Sequence, residues 1–570
     1  MRKGDRNIEF SVQAIAGTYV VTLCFDARQA YAKKLLGFAI HRKEFKDNKI
    51  IEEYWLRGYK PFEEVIKNPV PGMKYSTYEH PIQSFTWGDF SVKPGTTYEY
   101  KVVPVSGKPK KLDYDPGISI KITTESLEDS LHEIHFNRAA AASQAYAEKF
   151  DNKKPNDISL SDNEKEIRKA WLARGLYDAI CNFIKLAEQK DYKLLAALYE
   201  IDYPGVIDAF KKVADKGPGK LQIIYEARTG IKQAEDNEKA LGNAGFHPGD
   251  DIIFRRKNTD GIPHNKFMVL LKDDHPLMVW TGSTNLSKGG IFGHANVGHC
   301  IKDPDLAGEY LKYWKLLKKD PDKSTLASEI SSQWPDIIDL SGLFPGDMKV
   351  IFSPRKGLKE LKLYADTFGS AGEMANITLP FNLDKKFLEK IKADSEALRF
   401  VILNSGKKNL EIVEQLEFDP DVVIAPGSKI EKMWHQWLNE IHSGLNGSNV
   451  LYIHTKFLLK DPLGDKPVVI TGSANFSEPS TNKNDENMVI IACSNKEGET
   501  RVQDIYLGEF FRLFDHLYFR YIATKLGSSS EKDKKQAFLK PTPAEWILPY
   551  FNQRSDKFKR RTIFSLKPSL

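Results

Sequence analysis

The sequence predicts a multidomain chain, with a β-rich N-terminal unit followed by two copies of one α/β unit. Three observations predict it. A short polar pattern occurs twice, as His264-Asn265-Lys266 with Gly282-Ser283-Thr284-Asn285 and as His454-Thr455-Lys456 with Gly472-Ser473-Ala474-Asn475, and each Gly lies 16 residues beyond its Lys. Ahead of each copy runs the same strand–helix–strand order. Residues 1–125 lack that order and read instead as strands divided by turn signals. At 570 residues the chain is long enough for two to four domains, each with a substantial core.

Taken in order, residues 16–25, 35–41 and 118–123 read as strands. Between them, Lys93-Pro94-Gly95-Thr96-Thr97-Tyr98 leads into an apolar run to Val105. This resembles the fibronectin type III pattern, in which Pro-Gly-Thr-x-Tyr opens a strand and the Tyr hydrogen-bonds back to the main chain. The resemblance implies a β-sandwich over residues 1–126 with Tyr98 at the corner. Such a module would bind a protein partner or mediate oligomerisation rather than catalyse. Residues 136–150 and 164–189 read as helices, the second with an apolar face through Leu172, Leu176, Ile180 and Phe183 but interrupted by Gly175. Residues 194–199 form a strand, 204–216 a helix opened by proline, and 221–226 a second strand. Residues 377–381, 384–392 and 398–403 repeat that sequence of elements. Residues 231–245 and 321–348 read as connecting loops and helices, and Phe352-Ser353-Pro354-Arg355 opens the second copy.

The motif spacing has a physical meaning. From Pro263 to Leu270 polar residues alternate and then give way to an apolar run, as in a strand running into a core. A period of two sends His264 and Lys266 to one face, and likewise His454 and Lys456. Residues 278–281 and 468–471 read as the next strand of each copy, with Gly-Ser-x-Asn at its end. There Gly permits a tight turn while Ser and Asn offer hydrogen bonds. Each copy therefore presents an imidazole, an ammonium and a polar turn at one sheet edge. Together they form a kit for breaking and remaking a phosphate ester without a metal.

The doubled motif resembles the signature of the phospholipase D superfamily: His-x-Lys, a downstream Asp and Gly-Ser-x-Asn, present twice. The resemblance spans roughly residues 127 to 525. It implies two α/β repeats, over 127–348 and 349–525, packed about a pseudo-twofold axis around one active site. It further implies that one His attacks phosphorus to form a phosphohistidine while the other protonates the leaving oxygen. Lys266, Lys456, Ser283, Asn285, Ser473 and Asn475 would bind the non-bridging oxygens. The copies depart from each other in two places. Asp461 follows Lys456 by five residues, whereas the first copy has Leu271 there and its nearest acids are Asp273 and Asp274. The second copy continues Asn484-Asp485-Glu486-Asn487, the first His294-Ala295-Asn296, with no acid aligned with Glu486. A carboxylate that orients one imidazole fixes its tautomer and raises its basicity. The site is therefore expected to be asymmetric, with His264 the nucleophile and His454 the acid.

Charge and composition narrow the function classes. Net charge is +6, from 83 basic and 77 acidic residues, which does not by itself announce nucleic acid. Arg255 and Arg256, ahead of the first motif, are expected to line the cleft and bind substrate. A tail over 526–570 carries Lys532, Lys534, Lys535, Lys540, Arg554, Lys557, Lys559, Arg560 and Arg561, interleaved with Trp546, Tyr550 and Phe551. It would either track a phosphate backbone with aromatic stacking or dock its rings on a domain. Trp434, His435 and Trp437 read as part of a packed helix. No apolar stretch approaches the ~18–20 residues of a membrane span, and the N-terminal residues lack an apolar signal segment. Cys24, Cys181, Cys300 and Cys493 show no metal spacing, and neither do His275, His294 and His299, so no metal or cofactor is expected and the cytoplasm is the simplest compartment. The expected activity is a metal-independent nuclease acting on DNA or RNA. The alternatives are a phospholipase D releasing phospholipid headgroups and a catalytically inactive binding protein.

Overall fold

Two seven-stranded sheets with the same strand order form the body of the chain. The computed structural model describes residues 1–70, 73–138, 143–151, 153–247, 249–335, 338–381, 383–404, 407–417, 419–427, 453–525 and 537–566. The first sheet runs His132–Phe136, Val297–Ile301, His275–Gly282, Lys266–Lys272, Tyr192–Leu198, Leu221–Glu226, Ile253–Arg256. The second runs Met348–Ser353, Glu486–Ala492, Val468–Gly472, Phe457–Lys460, Met374–Leu379, Leu398–Asn404, Val422–Gly427. In both, the last three strands are parallel and the remaining pairings antiparallel. Central strands such as Leu398–Asn404 are buried along their whole length, which is why they read as near-continuous apolar runs.

One apolar cluster joins the inner faces of the two sheets. Tyr310, Tyr313 and Trp314 come from the helix Pro304–Lys318, and Ile505, Tyr506, Phe510, Phe511 and Phe514 from the long helix Arg501–Lys525. Each of these helices follows the corresponding strand of its sheet (Val297–Ile301 and Glu486–Ala492). The sheets are also stitched to each other at their edges. Pro263 bridges Asp485 and Ala295 bridges Ile453, so the segment that starts each His-x-Lys strand hydrogen-bonds to the other sheet.

The N-terminal residues form two sheets around a shared core. One comprises Arg2–Arg6, Phe10–Ala16, Val21–Ala27 and Thr86–Asp89; the other comprises Lys111–Tyr114, Thr97–Lys108, Gly37–Lys46 and Lys49–Trp55, with Ile118–Thr123 paired to Thr97–Lys108. Alternate residues of both, including Val12, Leu23, Phe38, Ile40, Tyr100 and Ile120, point into the core. The Tyr98 hydroxyl accepts a hydrogen bond from Lys93 N at 2.9 Å.

Several expected elements are corrected. Residues 16–25 are not one strand: a turn at Gly17, whose N–H donates to Val20 O, divides Phe10–Ala16 from Val21–Ala27. Phe136 ends a strand, and the described helix behind it is Ser143–Phe150. The 164–189 helix is two, Asp162–Ala173 and Leu176–Leu186, because Arg174 and Gly175 both adopt left-handed conformations. Of the two readings of the tail, its described part shows docking. Trp546 and Ile547 of the helix Pro543–Phe551 complete the N-terminal core, and Trp546 Nε1 donates to Leu35 O at 3.0 Å. Tyr550 and Phe551 pack on Phe85, while Arg560 pairs with Asp515, Arg561 with Asp26 and Lys559 with Asp421. These rings and charges are therefore committed to the fold. Lys532, Lys534, Lys535, Trp434, His435 and Trp437 lie outside the described residues.

Candidate active site

His264 and His454 meet where the two sheets are stitched together. Each sits just ahead of its strand, pinned through its own backbone to the other sheet: His264 N donates to Asp485 O at 3.0 Å and His454 N to Ala295 O at 3.0 Å. Their ring centroids are 6.4 Å apart at 73°. The two-residue spacing to lysine works the same way in both copies. Lys266 Nζ folds back onto His264 O at 2.7 Å and Lys456 Nζ onto His454 O at 2.6 Å, so both ammoniums lie beside the imidazole pair. All four side chains are buried.

The Gly of each Gly-Ser-x-Asn turn is demanded by close approach. A Cβ on Gly282, which has φ +133°, would lie 2.3 Å from Val297 O, and one on Gly472 would lie 2.2 Å from Asn487 O. The two serines, expected to contact substrate, are engaged with the neighbouring strand. Both are fully buried, and their hydroxyls accept from the neighbouring strand, Ser283 from Val297 N and Ser473 from Asn487 N, each at 3.0 Å. They hold the turn in place. Asn285 and Asn475 differ, since each keeps a buried amide oxygen without a partner among the described residues.

The partners of the two imidazoles break the symmetry. His264 Nδ1 is hydrogen-bonded to the Glu486 carboxyl, at 2.9 and 3.0 Å to its two oxygens. His454 Nδ1–H donates instead to Asn296 Oδ1 at 2.9 Å and Ser283 O at 3.1 Å. The Asn296 amide is oriented independently, because its Nδ2 donates to Gly290 O at 2.8 Å and its Oδ1 accepts from Ser283 Oγ at 2.8 Å. His454 must therefore carry its hydrogen on Nδ1, leaving Nε2 toward the site. Asn296 was missed in the sequence, although a signal existed: it lies 13 residues beyond Ser283, as Glu486 lies 13 beyond Ser473. Tyr199, also missed, stands 5.1 Å from the His264 ring with its face 5.2 Å from Lys266 Nζ.

Electrostatically the site is a buried cationic hole. Burial, reinforced by Lys266 and Lys456, holds both imidazoles well below the ordinary histidine value. Burial pushes Lys266 down to about 8, and burial with Lys266 nearby takes Lys456 well below the ordinary lysine value. Burial pushes the Glu486 carboxyl up to about 8 against the pull of both ammoniums. An anion placed among these groups would favour the charged forms of the lysines and imidazoles.

Arg256 does not line the cleft. It is 1% exposed, with Nε donating to Asp485 Oδ2 at 2.7 Å and Nη1 to Asp320 Oδ1 at 2.8 Å, so it is a strut beneath the His264 segment. Arg255 lies on the outer surface, paired with Glu238 at 2.9 Å. Asp461 serves as a support, its carboxylate accepting from the backbone of Gly372, Glu373 and Met374. In the first copy the strand extends through Leu271 to Lys272 and turns at Asp273 and Asp274, both at positive φ. Among the described residues, no group of three or more His, Cys, Asp or Glu is arranged to hold a metal ion.

Comparison with known proteins places part of this arrangement. The family model described as "Cardiolipin synthase, PLD-like domain" matches residues 364–505. No curated protein matches the chain. Among solved structures, phosphatidylserine synthase of Haemophilus influenzae Rd KW20 is similar at 14% identity, over 69% of this chain and 94% of that one, with a TM-score of 0.44. The phospholipase D family member Nuc of Salmonella typhimurium is 20% identical over 24% of this chain and 84% of its own, with a TM-score of 0.20. Yeast tyrosyl-DNA phosphodiesterase is 10% identical over 55% of this chain and 89% of its own, with a TM-score of 0.32. Residues 364–505 are accordingly a phospholipase D-like domain.

Proposed function

We propose that the chain is a phosphodiesterase that works through a phosphohistidine without a metal ion, and that its substrate is DNA or RNA. The observation that carries this reading is the pair of opposed, buried imidazoles, each tied at Nδ1 and flanked by an ammonium. In the proposed mechanism, His264 Nε2 attacks phosphorus while Glu486, in its ionised form, accepts the Nδ1–H hydrogen bond and offsets the positive charge that develops on the ring. His454 takes up a second proton, on Nε2, once the bound phosphate anion offsets the two lysines, and the bond to the leaving oxygen breaks as Nε2 delivers that proton to it. Lys266, Lys456, Asn285 and Asn475 bind the non-bridging oxygens, preorganised in a site that excludes most water. Water then attacks the phosphohistidine and returns a proton to His454. Two halves, 127–348 and 349–525, related by a pseudo-twofold axis, belong to this reading, as do a β-sandwich over 1–126 and the docked tail at 526–570. The nucleic-acid assignment is favoured by the ring of Tyr199, whose centroid lies 5.1 Å from that of His264. A ring so placed suits planar groups next to a phosphate.

A second reading, hydrolysis or exchange of phospholipid headgroups, is favoured by the family model at 364–505, whose description names a lipid enzyme. The deciding experiment presents DNA, RNA and phospholipid vesicles to wild type and His264→Ala in excess chelator. Nucleic-acid cleavage by wild type alone is expected. Headgroup release with intact nucleic acid would transfer the assignment to lipid. Turnover of neither would leave a binding protein.

A further inference from the structure

Building on the phosphodiesterase reading, we propose that His294 holds the water molecule that hydrolyses the covalent intermediate. Its ring lies 5.9 Å from that of His454, on the side of the site from which the leaving group departs under the mechanism above. No hydrogen bond engages either of its ring nitrogens among the described residues. Its backbone, by contrast, is locked. His294 N donates to Gly289 O at 2.9 Å, and His294 O accepts from Asn137 Nδ2 at 2.8 Å. Asn137 is fully buried; it also donates to Ile291 O at 2.9 Å and accepts from Asn296 N at 2.9 Å. One amide thus places His294 and the Asn296 partner of His454 together. The residue is delivered by a π-helical turn, Gly289–Gly293, a rare conformation that recurs at functional sites. Gly290 makes that turn possible, since a Cβ there would lie 2.3 Å from Asn285 O.

The matching position on the other side is Asn484, and it does something different. Its Oδ1 accepts from Ile262 N at 3.0 Å and its Nδ2 reaches Glu486 at 3.4 Å, so it braces the carboxylate. Only beside His454 does an imidazole replace this amide. Burial and Lys456 lower the basicity of His294, which keeps a neutral, hydrogen-bond-accepting nitrogen available near neutral pH.

The role follows from proton balance in the second step. Water oxygen bonds to phosphorus as the bond to His264 Nε2 breaks, and that electron pair returns to the imidazole. One water proton passes to His454 Nε2, which lost its own in the first step. The second hydrogen stays on oxygen and points to a His294 nitrogen. Methanol, with a single O–H, must give that hydrogen to His454 and has none left for His294. The His294 contact therefore favours water over alcohol.

The test is a p-nitrophenyl nucleotide diester turned over in buffered methanol–water by wild type, His294→Asn and His294→Phe. The first variant copies the amide of Asn484, and the second keeps a ring without nitrogen. The nitrophenolate burst should be preserved while hydrolysis slows about tenfold, the worth of one lost hydrogen bond. The ratio of methyl ester to hydrolysed product should rise by a similar factor. This ratio does not depend on how much enzyme is active, so a general loss of folding cannot move it. An unchanged ratio in both variants would overturn the role of His294 alone. Wild type releasing no more nitrophenolate than His264→Ala would overturn the phosphodiesterase reading, and this inference with it.

Discussion

Replacing Arg256 by methionine isolates the strut beneath His264. In the wild type the guanidinium and the Asp485 carboxylate are both about wholly buried, and Arg256 donates to Asp485 Oδ2 at 2.7 Å and Oδ1 at 3.4 Å. Removing one member of such a pair leaves the other charge buried without compensation, at a cost of roughly 3–5 kcal/mol. Asp320 also loses its partner but can rehydrate and adds little. Adding Asp485→Asn removes the stranded charge, so the double variant should cost less than the sum of the singles by about 2 kcal/mol or more. The pH dependence has a defined sign. Burial already raises the Asp485 carboxyl, and without Arg256 it rises further. A raised carboxyl favours the folded state only while protonated, so the Arg256→Met penalty is largest at neutral pH. It should shrink as pH falls toward the unfolded value of about 3.9. Urea unfolding followed by circular dichroism at pH 7 and 5 measures all of this. Because Asp485 O also holds His264 N, the single variant should lose turnover as well. Additive costs, or a loss below about 1 kcal/mol at pH 7, would refute the picture of a buried strut.

Glu486→Gln should lower turnover by roughly 10²–10⁴, since the amide holds the ring but cannot support positive charge on it. The same change should alter the pH dependence of stability. A carboxyl whose value is raised from 4.5 to about 8 stabilises the fold below its unfolded value, and that stabilisation is lost as pH rises toward 8. Melting temperatures of wild type and variant should therefore converge in acid, with wild type falling behind as the solution becomes alkaline. Gly282→Ala should cost at least about 2 kcal/mol by chemical denaturation, from a strained φ and a clash with Val297 O, and should depress turnover by shifting Ser283 O away from His454. Trp546→Ala should destabilise by about 3–5 kcal/mol in the same assay, as expected for a ring that completes the N-terminal core. Nucleic-acid affinity should then stay the same, whereas a tail that stacked on bases would lose binding without losing stability.

Much of the site was legible because its geometry is local. A His and a Lys two residues apart must share a face, and a Gly-Ser-x-Asn turn at one fixed offset must return to the same sheet edge. The asymmetry was visible too, through the missing partner of Glu486. The helix break at Gly175 was only hinted at, because a helix pattern persists across a left-handed residue pair while the backbone does not.

What stayed hidden depends on contacts between distant segments. Arg256 looks like a cleft residue beside Arg255 and Lys257, and only the approach of Asp485, 229 positions later, makes it a strut. The basic aromatic tail can be read as a nucleic-acid tract, although a charge run by itself favours packing; the N-terminal core that Trp546 and Ile547 join, more than four hundred residues earlier in the chain, decides for packing. The sequence by itself determined the residue kit, its duplication and its inequivalent halves, because hydrogen-bonding chemistry and strand periodicity are properties of neighbours along the chain. Tertiary structure alone decided that Glu486 serves His264 and Asn296 serves His454, since each partner comes from the opposite sheet. It also decided that the serine hydroxyls bond to the neighbouring strand, because side-chain direction at a strand end is set by the strand packed against it.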